Sequence, residues 1–167
     1  FANQGLLIGR AGEGSDGHVQ PISVERVEDV LGNQRSSPLP VVERTVVSQA
    51  LAYMVNDVLR DQNARSAAPI QDLFDIGRSA GVKTGFTLDP GLNWLVGYLP
   101  QQVTAVRLIQ DPETGLSSES AVLVTTSVWR AITQYAANQI DVADWYPPPD
   151  IVTRDVCNPS GLLPGEY

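Results

Sequence analysis

Cysteine is almost absent from this sequence. Cys157 stands alone, so no disulfide can close within the chain. Histidine is equally scarce. His18 is the only one and sits beside the Gly-rich, polar run from Ala11 to Gly17, where a solvated loop residue is the plain reading and a catalytic base is not. With so few His and Cys residues, Asp16, Glu25, Glu28 and Asp29 read as a charged surface, because no His/Cys/carboxylate ligand set joins them. Positive charge is short as well. Eleven Lys and Arg against 19 Asp and Glu leave a formal charge of −8. Phosphate binding needs clustered Lys and Arg, and none occurs, which argues against a nucleic-acid partner. No apolar run approaches the roughly 20 residues that cross a bilayer, and nothing resembles a signal peptide. The chain opens on Phe1 rather than Met, as a processed product or a piece of a longer protein does.

What is present suits one domain, or part of one. The 167 residues are 43% hydrophobic, enough for a core. Phe1 to Gly5 reads as the tail of a helix ending at a glycine. Val19 to Val30 alternates imperfectly through Ile22, Val24, Val27 and Val30, which predicts a strand or hairpin closed by a turn at Gly32-Asn33. Ser36 to Pro40 is a Pro/Ser linker. Thr45 to Asp61 carries the clearest helical pattern. Val46, Val47, Ala50, Leu51, Met54, Val55, Val58 and Leu59 recur on one face, predicting a core-facing stripe, with Thr45 as N-cap. Gln62 to Pro69 breaks that helix, and Ile70 to Ile76 suits a short helical turn. Val103 to Ile109 reads as a strand and Asp111 to Gly115 as a loop. Glu119 to Ala137 suits a second helix on the spacing of Ala121, Val124, Val128, Ile132 and Tyr135, although its β-branched run from Val122 to Val128 opposes one. From Asp144 onward the chain is Pro-rich and irregular. Trp94, Trp129 and Trp145 are expected to be packing residues, and Cys157 a free or partly buried thiol.

The chain is organised around Arg78 to Gln101, RSAGVKTGFTLDPGLNWLVGYLPQ. Lys-Thr-Gly at Lys83 to Gly85 is followed by a turn signal at Asp89-Pro90-Gly91 and by an apolar segment from Trp94 to Tyr98. Two strands joined by a turn are predicted, the first cationic and permissive at Gly85, suited to an anionic ligand. A phosphate loop is the nearest rival. Gly77-x-x-x-Gly81-x-Lys83-Thr84 lacks the Gly-Lys adjacency of that pattern, and no helix can start at Phe86 with Asp89-Pro90-Gly91 so close.

Lys-Thr-Gly alone is a weak word. Taken with Thr87 and with Asn93-Trp94-Leu95-Val96-Gly97-Tyr98-Leu99-Pro100-Gln101, it resembles the transpeptidase domain of class A penicillin-binding proteins. Ile22 to Gly32, Val128-Trp129-Arg130, and the segments Trp145 to Val152 and Ser160 to Pro164 resemble further stretches of that family more loosely. The Val-Gly-Tyr strand and the Pro-rich tail separate it from the serine β-lactamases, which share Lys-Thr-Gly.

The resemblance implies an α/β fold of the α+β type, an antiparallel sheet flanked by helices. It implies that residues 1–167 are the C-terminal part of a transpeptidase domain, with 144–167 as a Pro-rich extension. The activity implied is D,D-transpeptidation of peptidoglycan stem peptides through an acyl-serine, with β-lactams as mimics of the substrate and no cofactor. Lys83 would supply positive charge to the substrate carboxylate and its proton network. Thr84 would offer a hydroxyl, Gly85 close approach, and the Phe86 backbone N–H an oxyanion-hole donor. Phe86 departs from the family, which has Thr or Ser there; strand alternation puts Thr87 with Lys83 and Gly85, and Thr84 with Phe86. Neither Ser-x-x-Lys nor a matching Ser-x-Asn motif occurs in the chain, so the nucleophile and the remainder of the domain would lie upstream, and this chain alone is not expected to be active. A sheet edge would then be exposed. An extracytoplasmic location follows from the resemblance, with membrane attachment only through an N-terminal anchor outside these residues. A second reading of a different class is a non-catalytic module that binds peptidoglycan or a protein, which Phe86 favours.

Overall fold

The computed structural model describes residues 1–12, 17–36, 40–63, 72–86, 92–109, 116–158 and 160–165. Two three-stranded antiparallel sheets and two helices make an α+β fold. The first sheet has the order β2-β1-β3, from β1 (Leu6–Ala11), β2 (Val19–Gln20) and β3 (Val41–Thr45). Helix α1 (Gln49–Arg60) follows. The second sheet runs in simple sequence order, β4 (Gly81–Phe86), β5 (Leu92–Leu99) and β6 (Gln102–Ile109), and helix α2 (Ser118–Ala137) packs on it.

The second sheet follows the sequence closely. Leu99 pairs with Gln102, so Pro100-Gln101 forms a two-residue connection in which proline supplies the first negative φ. Lys83 pairs with Val96 and Thr84 with Leu95. The Asp89-Pro90-Gly91 turn and the Asp111 to Gly115 loop lie outside the described residues.

Side chains alternate across this sheet. Val82, Asn93, Leu95, Gly97, Leu99 and Thr104 are buried toward α2. Trp129 anchors that helix, fully buried, with Phe74 tilted against it at 6.5 Å between ring centroids. Burying a ring of this size contributes about 3 kcal/mol or more. Leu95, Leu99, Val82, Ile76 and Ala137 complete the surrounding core.

The first part of the chain departs from the sequence reading. Phe1 to Gly5 is a turn rather than a helix tail, with Gln4 and Gly5 at positive φ. A Cβ on Gly5 would lie 2.1 Å from the Val47 carbonyl oxygen, so only glycine fits this close approach. β1 and β3 were not legible, because their burial is slight and their hydrophobic alternation weak. Of Val19 to Val30 only Val19–Gln20 forms a strand; an isolated bridge, Glu28 to Gln34, spans the Gly32-Asn33 turn. There Asp29 accepts from the Leu31 and Asn33 amides, the Asn33 side chain and Arg35.

Both helices turn a different face inward from the one predicted. In α1, capped by Ser48 rather than Thr45, the buried residues are Ala52 and Asn56, while Leu51, Met54 and Val58 are exposed. Asn56 is drawn inward by two bonds. Its amide donates to the Phe1 carbonyl at 3.1 Å and its oxygen accepts from the Tyr98 hydroxyl at 2.8 Å. In α2, Ala121 is buried but Val124, Val128, Ile132 and Tyr135 face outward. The inward ladder is Ala121, Thr125, Trp129, Thr133 and Ala137, spaced by four and set by the one large ring it carries.

The C-terminal tail ties these layers together. Trp145 is buried, donates from its indole to the Ala2 carbonyl at 2.7 Å and meets Tyr98 edge-on. Arg60, near the end of α1, reaches Asp57, Asp144 and the Trp145 carbonyl. Of the three tryptophans expected to pack, Trp129 and Trp145 do so, whereas Trp94 is 42% exposed.

Candidate functional site

Lys83, the only lysine of the chain, stands on β4, whose sole partner among the described residues is β5. The Lys83 side chain is exposed, and its ammonium donates to the Thr84 carbonyl at 2.7 Å. Gly85 lies two residues on, on the same face. Among the described residues, a Cβ there would meet only the Trp94 Cβ, at an ordinary 3.9 Å.

Thr84 takes the other face. It is half-buried and lines a narrow cleft toward α2 with Asn93, Thr125 and Thr126. Phe86 closes β4, paired with Asn93. Thr87 lies outside the described residues. Lys83 and Gly85 therefore share one face with Trp94 and Val96, and Thr84 is separated from them by the sheet.

Sequence reasoning missed two neighbours of this face. Trp94 pairs across the sheet with both Gly85 and Arg107, and the Arg107 guanidinium lies 5.4 Å from the Trp94 ring. The period of two in Val103 to Ile109, set against that of Trp94 to Tyr98, held this signal, but only the register fixes it.

A cleft of about 380 Å³ opens before β4 and is lined by Arg60, Arg78 and Ser79, among others. Its charges are already engaged. Arg60 pairs with Asp57 and Asp144, Arg78 donates to the Ile140 carbonyl, and Ser79 bonds Asp144. The exposed Lys83 strand is the better candidate for a ligand. Elsewhere, His18 is exposed, Cys157 is a free, half-buried thiol, and the described residues assemble no cluster of three His, Cys, Asp or Glu. None of the described helices is long and apolar enough to cross a membrane.

No family model matches the chain, and neither does any curated protein. Among solved structures it is similar to penicillin-binding protein A from M. tuberculosis as an imipenem acyl-enzyme complex, with 19% identity and a TM-score of 0.48 over 78% of this chain and 28% of that one. It is also similar to the D,D-transpeptidase domain of a peptidoglycan glycosyltransferase from Eggerthella lenta, with 22% identity and a TM-score of 0.49 over 83% of this chain and 30% of that one. The chain spans less than a third of the length of either.

Proposed function

We propose that this chain is the C-terminal part of a penicillin-binding D,D-transpeptidase domain of the class A type, and that β4 is one wall of its active-site cleft. The observation that carries the reading is the arrangement of Lys83-Thr84-Gly85 on the outer strand of the described sheet, with the Trp94 to Tyr98 segment paired in register beside it.

In this reading a serine outside the chain attacks the D-Ala-D-Ala carbonyl of a stem peptide and expels the terminal D-Ala. An amine of a second stem peptide then displaces the serine. Lys83 offers positive charge to the substrate carboxylate and Gly85 gives the ligand room to approach. The Phe86 N–H would meet the developing oxyanion, a donor worth about 3–4 kcal/mol where such bonds have been removed. Thr87 is the proposed hydroxyl contact to the carboxylate, because Thr84 stands on the opposite face of the strand, toward α2. Residues 144–167 are a C-terminal extension of the domain, the remainder of the domain is its partner, and the parent works outside the cytoplasm. A β-lactam would be captured as the substrate is.

Phe86 favours a second reading, a binding module on the same fold that holds stem peptides or a protein without acylating. Intact-mass analysis of the parent protein after penicillin treatment separates the two, with this chain as the blank. The transpeptidase reading expects a gain of one antibiotic on the parent and none on the chain. A folded parent with no gain moves the binding module ahead.

A further inference from the structure

The cleft before β4 is a second concave site, and Lys83 is not among the described residues that line it. Its volume of about 380 Å³ lies at the lower end of the roughly 300–1,000 Å³ typical of small-ligand sites. Phe74 and Ala80, both buried, supply apolar lining. A tight turn shapes the rim. Gly77 stands at a φ of 76°, and its amide donates to Asp75 Oδ1 at 2.8 Å. That bond holds the exposed Asp75 carboxylate in place and leaves its second oxygen without a partner among the described residues.

The charged groups around this cleft are not used alike. Arg60 gives its donors to Asp57, Asp144, the Tyr53 hydroxyl and the Trp145 carbonyl. Asp144 is used on both oxygens, one accepting from Arg60 and the Trp145 amide, the other from Ser79. Arg78 differs. It is half-buried, and its one bond among the described residues runs from Nη1 to the Ile140 carbonyl at 3.1 Å. That acceptor is neutral, so most of the guanidinium donors remain unused and the charge has no counter-ion. Withdrawing a cation from water without an opposite charge costs free energy. The chain has 19 Asp and Glu, yet none of the described ones pairs with Arg78. Asp75 likewise faces the cleft with no cation paired to it among the described residues.

One cation and one anion, both without an ionic partner, thus line a single cleft that also has apolar walls. We propose that this cleft binds a small α-amino acid as its zwitterion. The ligand carboxylate meets Arg78, its ammonium meets Asp75, and an apolar side chain lies against Phe74 and Ala80. A guanidinium matches a carboxylate with two parallel N–H bonds, and ionised partners make the stronger hydrogen bonds. Loss of either charge from the ligand therefore leaves one charged group of the cleft unmatched. The proposal is independent of the transpeptidase reading and of the chemistry on β4.

The test uses the folded parent protein and ligand-observed saturation-transfer NMR. Three probes are titrated: leucine, N-acetylleucine, which lacks the ammonium, and leucinamide, which lacks the carboxylate. Leucine should bind saturably and about tenfold or more tightly than either derivative. Arg78→Met should bind leucine and leucinamide alike while still rejecting N-acetylleucine. Asp75→Asn, which keeps an oxygen for the Gly77 amide, should bind leucine and N-acetylleucine alike while still rejecting leucinamide. Each variant erases one discrimination and keeps the other, which a misfolded protein cannot do. Arg78→Lys should retain part of the preference for a carboxylate. Should Arg78→Met fail to fold, Asp75→Asn and Arg78→Lys decide the matter. No saturable binding of leucine overturns the proposal, as does equal binding of the three probes. Discrimination unchanged by the variants overturns it as well, by placing the bound leucine elsewhere on the parent.

Discussion

The indole of Trp129 occupies the space that Gly97 leaves empty. A Cβ on Gly97 would fall 2.3 Å from the indole ring, well inside van der Waals contact. The sheet and α2 therefore approach each other on the condition that this one strand position carries no side chain. Gly97→Ala should destabilise the fold by on the order of 3 kcal/mol, measured by urea unfolding. Trp129 Nε1 has no hydrogen-bond partner among the described residues, so Trp129→Phe loses volume but no bond. The double variant should be more stable than the sum of the two single effects. Strict additivity would mean that the contact does not set the helix position.

Tyr98 gives an alkaline signature. Burial raises its hydroxyl above the usual value of 10.0. Below about pH 10 the phenol is protonated in folded and unfolded chains alike, and its contribution is fully present. Above that the unfolded phenol ionises while Tyr98 holds its proton, so stability falls until the higher folded value is passed. Tyr98→Phe should flatten this fall. It should also cost about 1–3 kcal/mol near neutrality, because Asn56 loses the donor to its buried oxygen. An unchanged pH profile in the variant would assign the alkaline loss to other groups.

Arg60 joins α1 to the tail through Asp57, Asp144 and the Trp145 carbonyl. Its partners are partly exposed, so solvent screens the pairs and the effect is moderate. Arg60→Met, which keeps most of the apolar stem, should cost about 1 kcal/mol. It should also raise hydrogen exchange at Trp145, whose amide donates to the same Asp144 carboxylate. No change in exchange there would show that the tail is held by the buried Trp145 ring alone.

These contacts explain which parts of the fold were legible. Strands β4 to β6 and both helices could be read because their periods are long and Pro100 marks one turn, but the caps were missed, since the spacing points to Thr45 for the N-cap that Ser48 supplies and passes over Ser117. The faces could not. Apolar count pointed to Leu51, Met54 and Val58, and to Val124, Val128 and Ile132. The structure instead follows two packing events between distant segments, Asn56 with Tyr98 and Trp129 with Gly97. Neither hydrophobicity nor spacing within one helix reports such pairs. In the site, Lys83, Thr84 and Gly85 were legible as a word and as a strand. Arg107 was not, because it joins Trp94 only through the register of the sheet.

Lys83 and Gly85 permit function to be separated from stability. The Lys83 ammonium bonds a carbonyl of its own strand, and among the described residues a methyl on Gly85 would meet only the Trp94 Cβ at an ordinary 3.9 Å. Lys83→Ala and Gly85→Ala should each change unfolding stability by less than about 0.5 kcal/mol. In the parent protein, Lys83→Ala should slow penicillin acylation by about a hundredfold or more, with Lys83→Arg retaining part of the rate. Gly85→Ala should slow it by intruding on the ligand's approach. Acylation that survives both changes would remove this strand from the chemistry.

Phe86 is where the sequence departs from the family that it resembles, and it gives the sharpest test of ligand recognition. A Thr at this position would keep the backbone N–H proposed for the oxyanion and add a hydroxyl for the substrate carboxylate. A hydrogen bond to a charged group is worth about 1.5–3 kcal/mol, so Phe86→Thr in the parent should raise the second-order rate of penicillin acylation about tenfold or more. The deacylation rate should change less, because the carboxylate contact is already made in the acyl-enzyme. An acylation rate unchanged by Phe86→Thr would mean that the carboxylate is held elsewhere on the strand. A parent acylated only after this substitution would identify Phe86 as the residue that turns a transpeptidase fold into a binding module.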